Sequence, residues 1–404
     1  MADDFVHLSG KHIKLTTDID DAASNADLIA AFDAAVVQWE TFWQFPKGTL
    51  DGFQVDACVI RNKERFALAG LIPANVPNFP YGFALQNRVW VMAQKSDYYT
   101  RHLLLHEGVH ALAFAQFGGT GPSWFMEGTA EMLSVHEGAG AETIVNRVPA
   151  NRESVPFWGR FKVMSESRQA KSIPTLATVL GYPRDLQSDV NSYGWSWAAV
   201  MMLHAYPDTR DAFYAAARNG TRSPAVFNND LRRDLQDKWP VVEARWRLMC
   251  HDLDYGFDWS AENVSLSMND QVWDGKELSI DVAASRGWQS IGVRLEKGMQ
   301  ISLLPSGQCT LANQPKPWVS EPPGVTIRYH NGRPLGQLIA CLLTNPPDSD
   351  STSASSLPPL QVAAITRPAK VPIQENCWLL FRVNDASGEL ADNTGGYQVK
   401  IAAP

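Results

Sequence analysis

No stretch of eighteen consecutive apolar residues occurs in this 404-residue chain, so no segment reads as a membrane-spanning helix. The polar start Met1-Ala2-Asp3-Asp4 lacks the apolar core of a signal peptide. Cysteine is scarce, and Cys58, Cys250, Cys309, Cys341 and Cys377 show no CxxC spacing, which excludes a cysteine zinc knuckle and a thioredoxin-type centre. The odd count leaves at least one thiol unpaired in a monomer, while the three in the last third can include a disulfide if the protein is exported. Basic clusters are missing too. With 35 Lys and Arg against 43 Asp and Glu the net charge is -8, and nucleic acid is not an expected partner. There is no internal repeat and no overall disorder bias. A hydrophobic content of 45% over this length is enough for two buried cores.

Two domains are expected, residues 1–258 and 262–404. In the first, His12–Thr16 reads as a strand, Asp21–Phe45 has helical apolar spacing stopped by Pro46, and Val55–Ile60 is a second strand. The run from Gln86 to Ala93 reads as a strand leading into the next helix, and as an edge able to pair with an extended peptide. Residues from about 122 to 253 read as mostly helical. Beyond Asp254–Trp259 short alternating runs take over, at Val264–Ser267, Leu278–Val282, Met299–Leu303, Val325–Tyr329, Trp378–Val383 and Tyr397–Ile401, the pattern of an all-β sandwich. Asn345–Ser356 is poor in apolar residues and reads as a mobile loop within it.

The chemistry concentrates in His106-Glu107-Gly108-Val109-His110, on a helix whose remaining positions are largely apolar. Residues four apart share a helix face, so His106 and His110 can turn ring nitrogens to one metal ion. Glu107 points beside that face and can reach a water without ligating the metal, where a general base belongs. Gly118-Gly119 ends the helix, Pro122 suits the first turn of the next, and Glu127 is the expected third ligand. Glu131, one turn on, would accept the other ring N–H of a ligand histidine and fix its orientation. Gly128 makes sense if two helix backbones approach closely to bring Glu127 against the two histidines. From His102 to His110 the helix climbs about 12 Å, too far for three ligands at roughly 2 Å from one ion. His102 therefore packs or supports the ligands. His136 reads as structural or exposed, and His204 and His251 as ordinary core or surface histidines.

HEGVH followed shortly by Trp124-Phe125-Met126-Glu127-Gly128-Thr129-Ala130-Glu131 resembles the gluzincin zinc metallopeptidases, in wording the aminopeptidase N-like and peptidase-MA-like side of that group. The resemblance implies an α+β zincin-like fold over residues 1 to about 258, Zn²⁺ on His106, His110 and Glu127, and Glu107 as base. It also implies a tyrosine that stabilises the oxyanion, and Tyr193, before the helical stripe Trp195, Ala198, Ala199, Met202 and Leu203, fits; packing at a helix start is the other reading of it. The Gly-x-Met-Glu-Asn segment that binds a free amino terminus in aminopeptidase N-like enzymes does not occur, which favours an endopeptidase.

In the last domain, Phe381-Arg382-Val383-Asn384-Asp385 and Asp392-Asn393-Thr394-Gly395-Gly396-Tyr397 resemble small jelly-roll lectins, the calcium-dependent galactose-binding bacterial kind. That resemblance implies Ca²⁺ and sugar at Asn384, Asp385, Asp392 and Asn393. The same residue types are the ordinary residues of hairpin turns, so a purely structural sandwich stays open.

The expected function is a zinc-dependent peptidase acting on proteins or glycoproteins, secreted or periplasmic. The alternative is a catalytically inactive zinc-site protein that binds a glycan or a protein through its sandwich. An intact Glu107 favours the enzyme.

Overall fold

The computed structural model describes residues 5–183, 190–344 and 355–404. Its packing separates two compact units, Met1–Glu166 with Ala177–Leu235, and Ser167–Leu176 with Gln236–Pro404.

The first unit is mixed α+β. Strands β1 (Val6–Ser9), β2 (Ile13–Thr17), β3 (Val55–Ile60), β4 (Gly82–Leu85) and β5 (Arg88–Met92) form one sheet in the order β1-β2-β3-β5-β4. The inner pairs β2/β3 and β3/β5 are parallel, and the outer pairs are antiparallel. The strand expected to be the edge, β5, is therefore interior, because the hairpin β4–β5 adds one more strand outside it. β4 is the edge. β1 was likewise not expected, its four residues being too few to show a period.

Helices α1 (Ala22–Phe42), α2 (Lys63–Leu68) and α3 (Asp97–Phe117) surround this sheet. Asp21 caps α1 by accepting from the amides of Ala23 and Ser24. Ser96 caps α3 by accepting from the amide of Tyr99, and the helix stops at Gly118. α3 packs on β4 and β5 and against α1, so its histidine-bearing turns lie beside the sheet edge. Phe66, Phe79 and Trp90 form a separate apolar cluster with Cys58 and Ile60 of β3.

α4 (Ser123–Ser134) follows, then a two-stranded ribbon of β6 (His136–Glu137) and β7 (Ile144–Val145). Next come α5 (Arg160–Gln169), α6 (Leu176–Leu180), α7 (Val190–Ala205), α8 (Pro207–Ala217) and α9 (Pro224–Asp234). Trp39 of α1 donates its indole N–H to the Leu133 carbonyl of α4 at 3.1 Å, joining the two layers.

Besides Ser167–Leu176, the second unit runs from Gln236 onward, so α10 (Trp239–Asp252) and α11 (Trp259–Glu262) stand in it ahead of the strands. Its strands are β8 (Leu278–Ala283), β9 (Gln289–Leu295), β10 (Gln300–Thr310), β11 (Val319–Ser320), β12 (Val325–His330), β13 (Arg333–Leu335), β14 (Leu338–Thr344), β15 (Val362–Ala364), β16 (Ala369–Pro372), β17 (Cys377–Val383) and β18 (Thr394–Ala402). One sheet runs β11-β10-β18-β8 with β16 also on β10; the other runs β15-β14-β17-β9. Side chains from both share one core, among them Val282, Ile301, Val399, Leu338, Leu379 and Phe381, which makes a β-sandwich.

β17 is buried on both faces. Leu379, Phe381 and Val383 enter the sandwich, while Trp378 and Leu380 meet Val241, Ala244 and Leu248 of α10. Arg382 lies on that second face and closes on Asp252 of α10 at 3.2 Å and Glu262 at 2.7 Å. This is why α10, which reads in sequence like one more helix of the first domain, packs with the sandwich. Val264–Ser267 is not a strand; Val264 and Leu266 instead fill the layer between β17 and α10. All five cysteines are buried and unpaired, so no disulfide forms among Cys309, Cys341 and Cys377. The low-apolar run Asn345–Ser356 lies mostly outside the described residues. Among the described residues no helix is long and apolar enough to cross a membrane.

Candidate metal centre

His106 and His110 stand one turn apart on α3, and α4 brings Glu127 to them. Glu127 Oε2 lies 3.1 Å from His106 Nε2 and 3.7 Å from His110 Nε2. These separations bracket the edge of about 3.3 Å expected for a tetrahedron with metal bonds of about 2.0–2.1 Å. The three residues form a group able to hold a metal ion. Two neutral nitrogens and one carboxylate are the donor set zinc takes at an open site, so the residues present fit such an ion. Burial pushes the Glu127 carboxyl up, but the two imidazoles outweigh it and hold it at about 2, in the anionic form a ligand needs.

A missing side chain lets α4 and α7 come together. A Cβ on Gly128 would lie 2.3 Å from the Ser196 carbonyl oxygen of α7. The close approach at Gly128 is thus to α7, the helix that carries Tyr193, and not, as expected, to the histidine helix α3. The Tyr193 ring lies 6.4 Å from that of His106. Burial chiefly, with the nearby carboxylates of Glu127 and Glu131, raises its phenol above the ordinary value, so it remains a donor.

Glu107 is 6% exposed and stands outside the three-ligand group. Burial, with Glu127 adding to it and His110 opposing, pushes its carboxyl up to about 7. A Cβ on Gly82, the first residue of the edge strand β4, would come 2.4 Å from Glu107 Oε1. Only a glycine leaves the carboxylate its present position there.

Behind the ligands lies Glu131. Its Oε1 is 3.7 Å from His106 Nδ1 and its Oε2 is 3.7 Å from His102 Nε2, so it faces both rings beyond hydrogen-bond distance. His102, His106 and Glu131 also lie close enough to hold an ion. Against that, Arg160 donates Nη2 to Glu131 Oε1 at 2.7 Å and Nε to Oε2 at 3.3 Å, and Trp158 Nε1 donates to Oε2 at 2.8 Å. A guanidinium on the carboxylate opposes a second cation. Burial raises the Glu131 carboxyl, but Arg160 prevails and leaves it well below the usual range. Sequence reasoning missed Trp158, Arg160 and Gly82, because none shares a helical period with the motif.

The site opens into a cavity of about 660 Å³, of a size suited to a ligand. His106, Glu107, His110, Glu127 and Tyr193 all line it, as do Gly82–Leu85 of the edge strand. The other histidines lie elsewhere. His136 is buried in β6, donating Nδ1–H to the Ser134 carbonyl at 2.8 Å with Arg101 against Nε2 at 3.3 Å. His204 pairs with the Tyr214 hydroxyl at 3.1 Å, and His251 with Asp252 at 2.8 Å.

In the second unit, Asn384 donates to the carbonyls of His330 at 3.1 Å and Pro334 at 2.9 Å, pinning the β12–β13 ribbon. Asp385 accepts from Asn393 Nδ2 at 2.9 Å and from the Ala386 amide at 2.8 Å. Asn393 also donates to the Ala284 carbonyl at 3.1 Å, yet its buried Oδ1 has no partner. Asp392 is exposed. Burial chiefly pushes the Asp385 carboxyl up to about 6 despite the Asn393 hydrogen bond.

Compared with protein-family models and with curated proteins, the chain matches none. Among solved structures it is similar to one titled "EclA N-terminal domain; PllA-like lectin", at 17% identity and a TM-score of 0.24, covering 31% of this chain and 95% of that one.

Proposed function

We propose that this chain is a zinc-dependent peptidase of gluzincin type, an endopeptidase cutting proteins or glycoproteins outside the cytoplasm. The observation that carries the reading is the convergence of His106 Nε2, His110 Nε2 and Glu127 Oε2 at the wall of a ligand-sized cavity, with Glu107 beside them and not among them. Zinc held there would polarise a peptide carbonyl and make water acidic near neutral pH.

The chain's own residues supply the rest. Glu107, lining the cavity beside the ligand group, can accept the proton of the attacking water and hand it to the leaving nitrogen. Tyr193 keeps its proton and can donate to the developing oxyanion. β4 ends its sheet, and its outer side could hold an extended segment of substrate as one more strand. An internal stretch of polypeptide meets that requirement as well as a terminus does, which supports endopeptidase action.

The test is cleavage of an unfolded protein by the zinc-loaded chain. Activity should vanish with a chelator and return with zinc. Glu107→Gln should keep metal and fold while losing about 10²–10⁴-fold in kcat. Undiminished cleavage by that variant would exclude Glu107 as the base.

One observation favours a second reading. The Asp385 carboxylate, which accepts from Asn393 Nδ2, and the buried Asn393 Oδ1 that has no partner are oxygens of the kind calcium takes, with Asn384 and exposed Asp392 next to them in sequence. On this reading a jelly-roll second unit binds Ca²⁺ and a glycan, either directing the peptidase to glycoproteins or acting as the working part of an inactive enzyme. A glycan array with and without calcium, run on the full chain and on Glu107→Gln, separates these possibilities.

A further inference from the structure

We infer that Phe157 is a specificity-determining residue of the cleft, selecting protein segments with an apolar or aromatic side chain near the bond to be cut; this rests on the peptidase reading and deepens it. Phe157 has φ 69°, a left-handed conformation that a bulky side chain seldom adopts. Its side chain is 71% exposed. Such a conformation persists only where the surroundings over-determine it.

Here they do. Val155 and Trp158, on either side, are buried. The Trp158 ring packs edge-on against Trp197 at 5.1 Å and Phe161 at 5.5 Å, and its N–H donates to Glu131. Arg160 holds the same carboxylate. The backbone on the C-terminal side of Phe157 is thus fastened to the group that faces His106. The backbone that carries the exposed ring is therefore placed in a set relation to the candidate metal centre.

A lone exposed apolar side chain is ordinary on a protein surface. Phe157 differs in lining the cavity that contains His106 and Glu107, together with Tyr81, itself 55% exposed, and with Phe83, Leu103 and Val163. Tyr81 directly precedes the edge strand β4. A segment lying along β4 presents alternate side chains to this wall, and a wall of aromatic and aliphatic groups gains most from apolar ones.

The backbone conformation supplies a test in which stability and activity move apart. Phe157→Gly suits φ 69°, so the variant should melt at or above the wild-type temperature and bind zinc with unchanged stoichiometry. On peptides with Phe or Leu beside the cleaved bond its kcat/KM should fall by roughly tenfold, mainly through KM. On peptides with Ser or Gly there it should not change, and Phe157→Trp should retain the preference. Equal loss on both peptide sets, or no loss on either, overturns the inference. A second measurement stands apart from catalysis: a fluorescent Phe-containing peptide binding to zinc-loaded Glu107→Gln should weaken by roughly tenfold when Phe157→Gly is added. If wild-type protein cleaves nothing, the peptidase reading fails, while unchanged peptide binding overturns the Phe157 inference by itself.

Discussion

Arg160 grips the Glu131 carboxylate at two points, Nη2 to Oε1 at 2.7 Å and Nε to Oε2 at 3.3 Å, and both side chains are buried. Removing the cation strands a buried negative charge facing His106 and His102. Arg160→Met should therefore cost about 3–5 kcal/mol of stability, read by urea denaturation. Zinc affinity, measured by competition with a chelator, should fall about 10–100-fold because His106 loses its oriented neighbour. Unchanged affinity would show that Glu131 serves only the fold.

Gly82→Ala should separate activity from folding in another way. The added Cβ would meet the free end of the Glu107 side chain, 2.4 Å from Oε1, and not a backbone atom. A flexible carboxylate can move aside, so the melting temperature should hardly change and zinc should still bind. The base is displaced, however, and kcat should fall by at least about tenfold, since misplacement by about 1 Å can cost about 100-fold. Wild-type turnover in Gly82→Ala would show that Glu107 has freedom to spare.

The pairing of His106 with His110 is legible in the sequence because helical periodicity converts local spacing into geometry: residues four apart share one face of any α-helix. Glu127 was legible through the short connection after Gly118-Gly119. What sequence reasoning missed is non-local. Edge and interior strands of a sheet differ only in their partners, so β5 could not be told from β4. Arg160 and Trp158 reach Glu131 across 29 and 27 residues from outside any repeating pattern. α10 has the apolar spacing of any helix, and what joins it to the second unit is remote in sequence: Arg382, 130 residues from Asp252, and the apolar layer with Trp378 and Leu380.

Acid should weaken the first unit through His136. Burial chiefly holds this imidazole neutral, down to about 3 from its ordinary 6.5. The unfolded chain takes up the proton near pH 6.5 while the folded chain excludes it, so this contribution is complete above 6.5, falls as the pH drops, and levels off near 3. His204, depressed to about 4 by burial, acts in the same direction. His136→Gln can still donate to Ser134 and accept from Arg101 but cannot titrate. Its urea midpoint should therefore decline less than the wild type's between about pH 7 and 4. Parallel curves for the two proteins would rule out His136 as a source of the acid sensitivity.

Asp385 should show the opposite sign, and calcium should reverse it. Its carboxyl rises from an ordinary 3.8 to about 6. Below 3.8 both states carry the proton; as the pH climbs toward 6 the unfolded chain releases it first, so the group's destabilising effect grows over that window and stays constant above it. Asp385→Asn removes the titration, so in chelator the wild type should lose stability relative to the variant between about pH 4 and 6. A calcium ion held by the Asp385 carboxylate needs its ionised form. Millimolar calcium should accordingly raise the wild-type melting temperature at about pH 7.5 and much less at about pH 5, and leave Asp385→Asn unmoved. Equal response of the two proteins to calcium would place any binding elsewhere, and no response at all would leave this turn a structural corner held by Asn393 and Asn384.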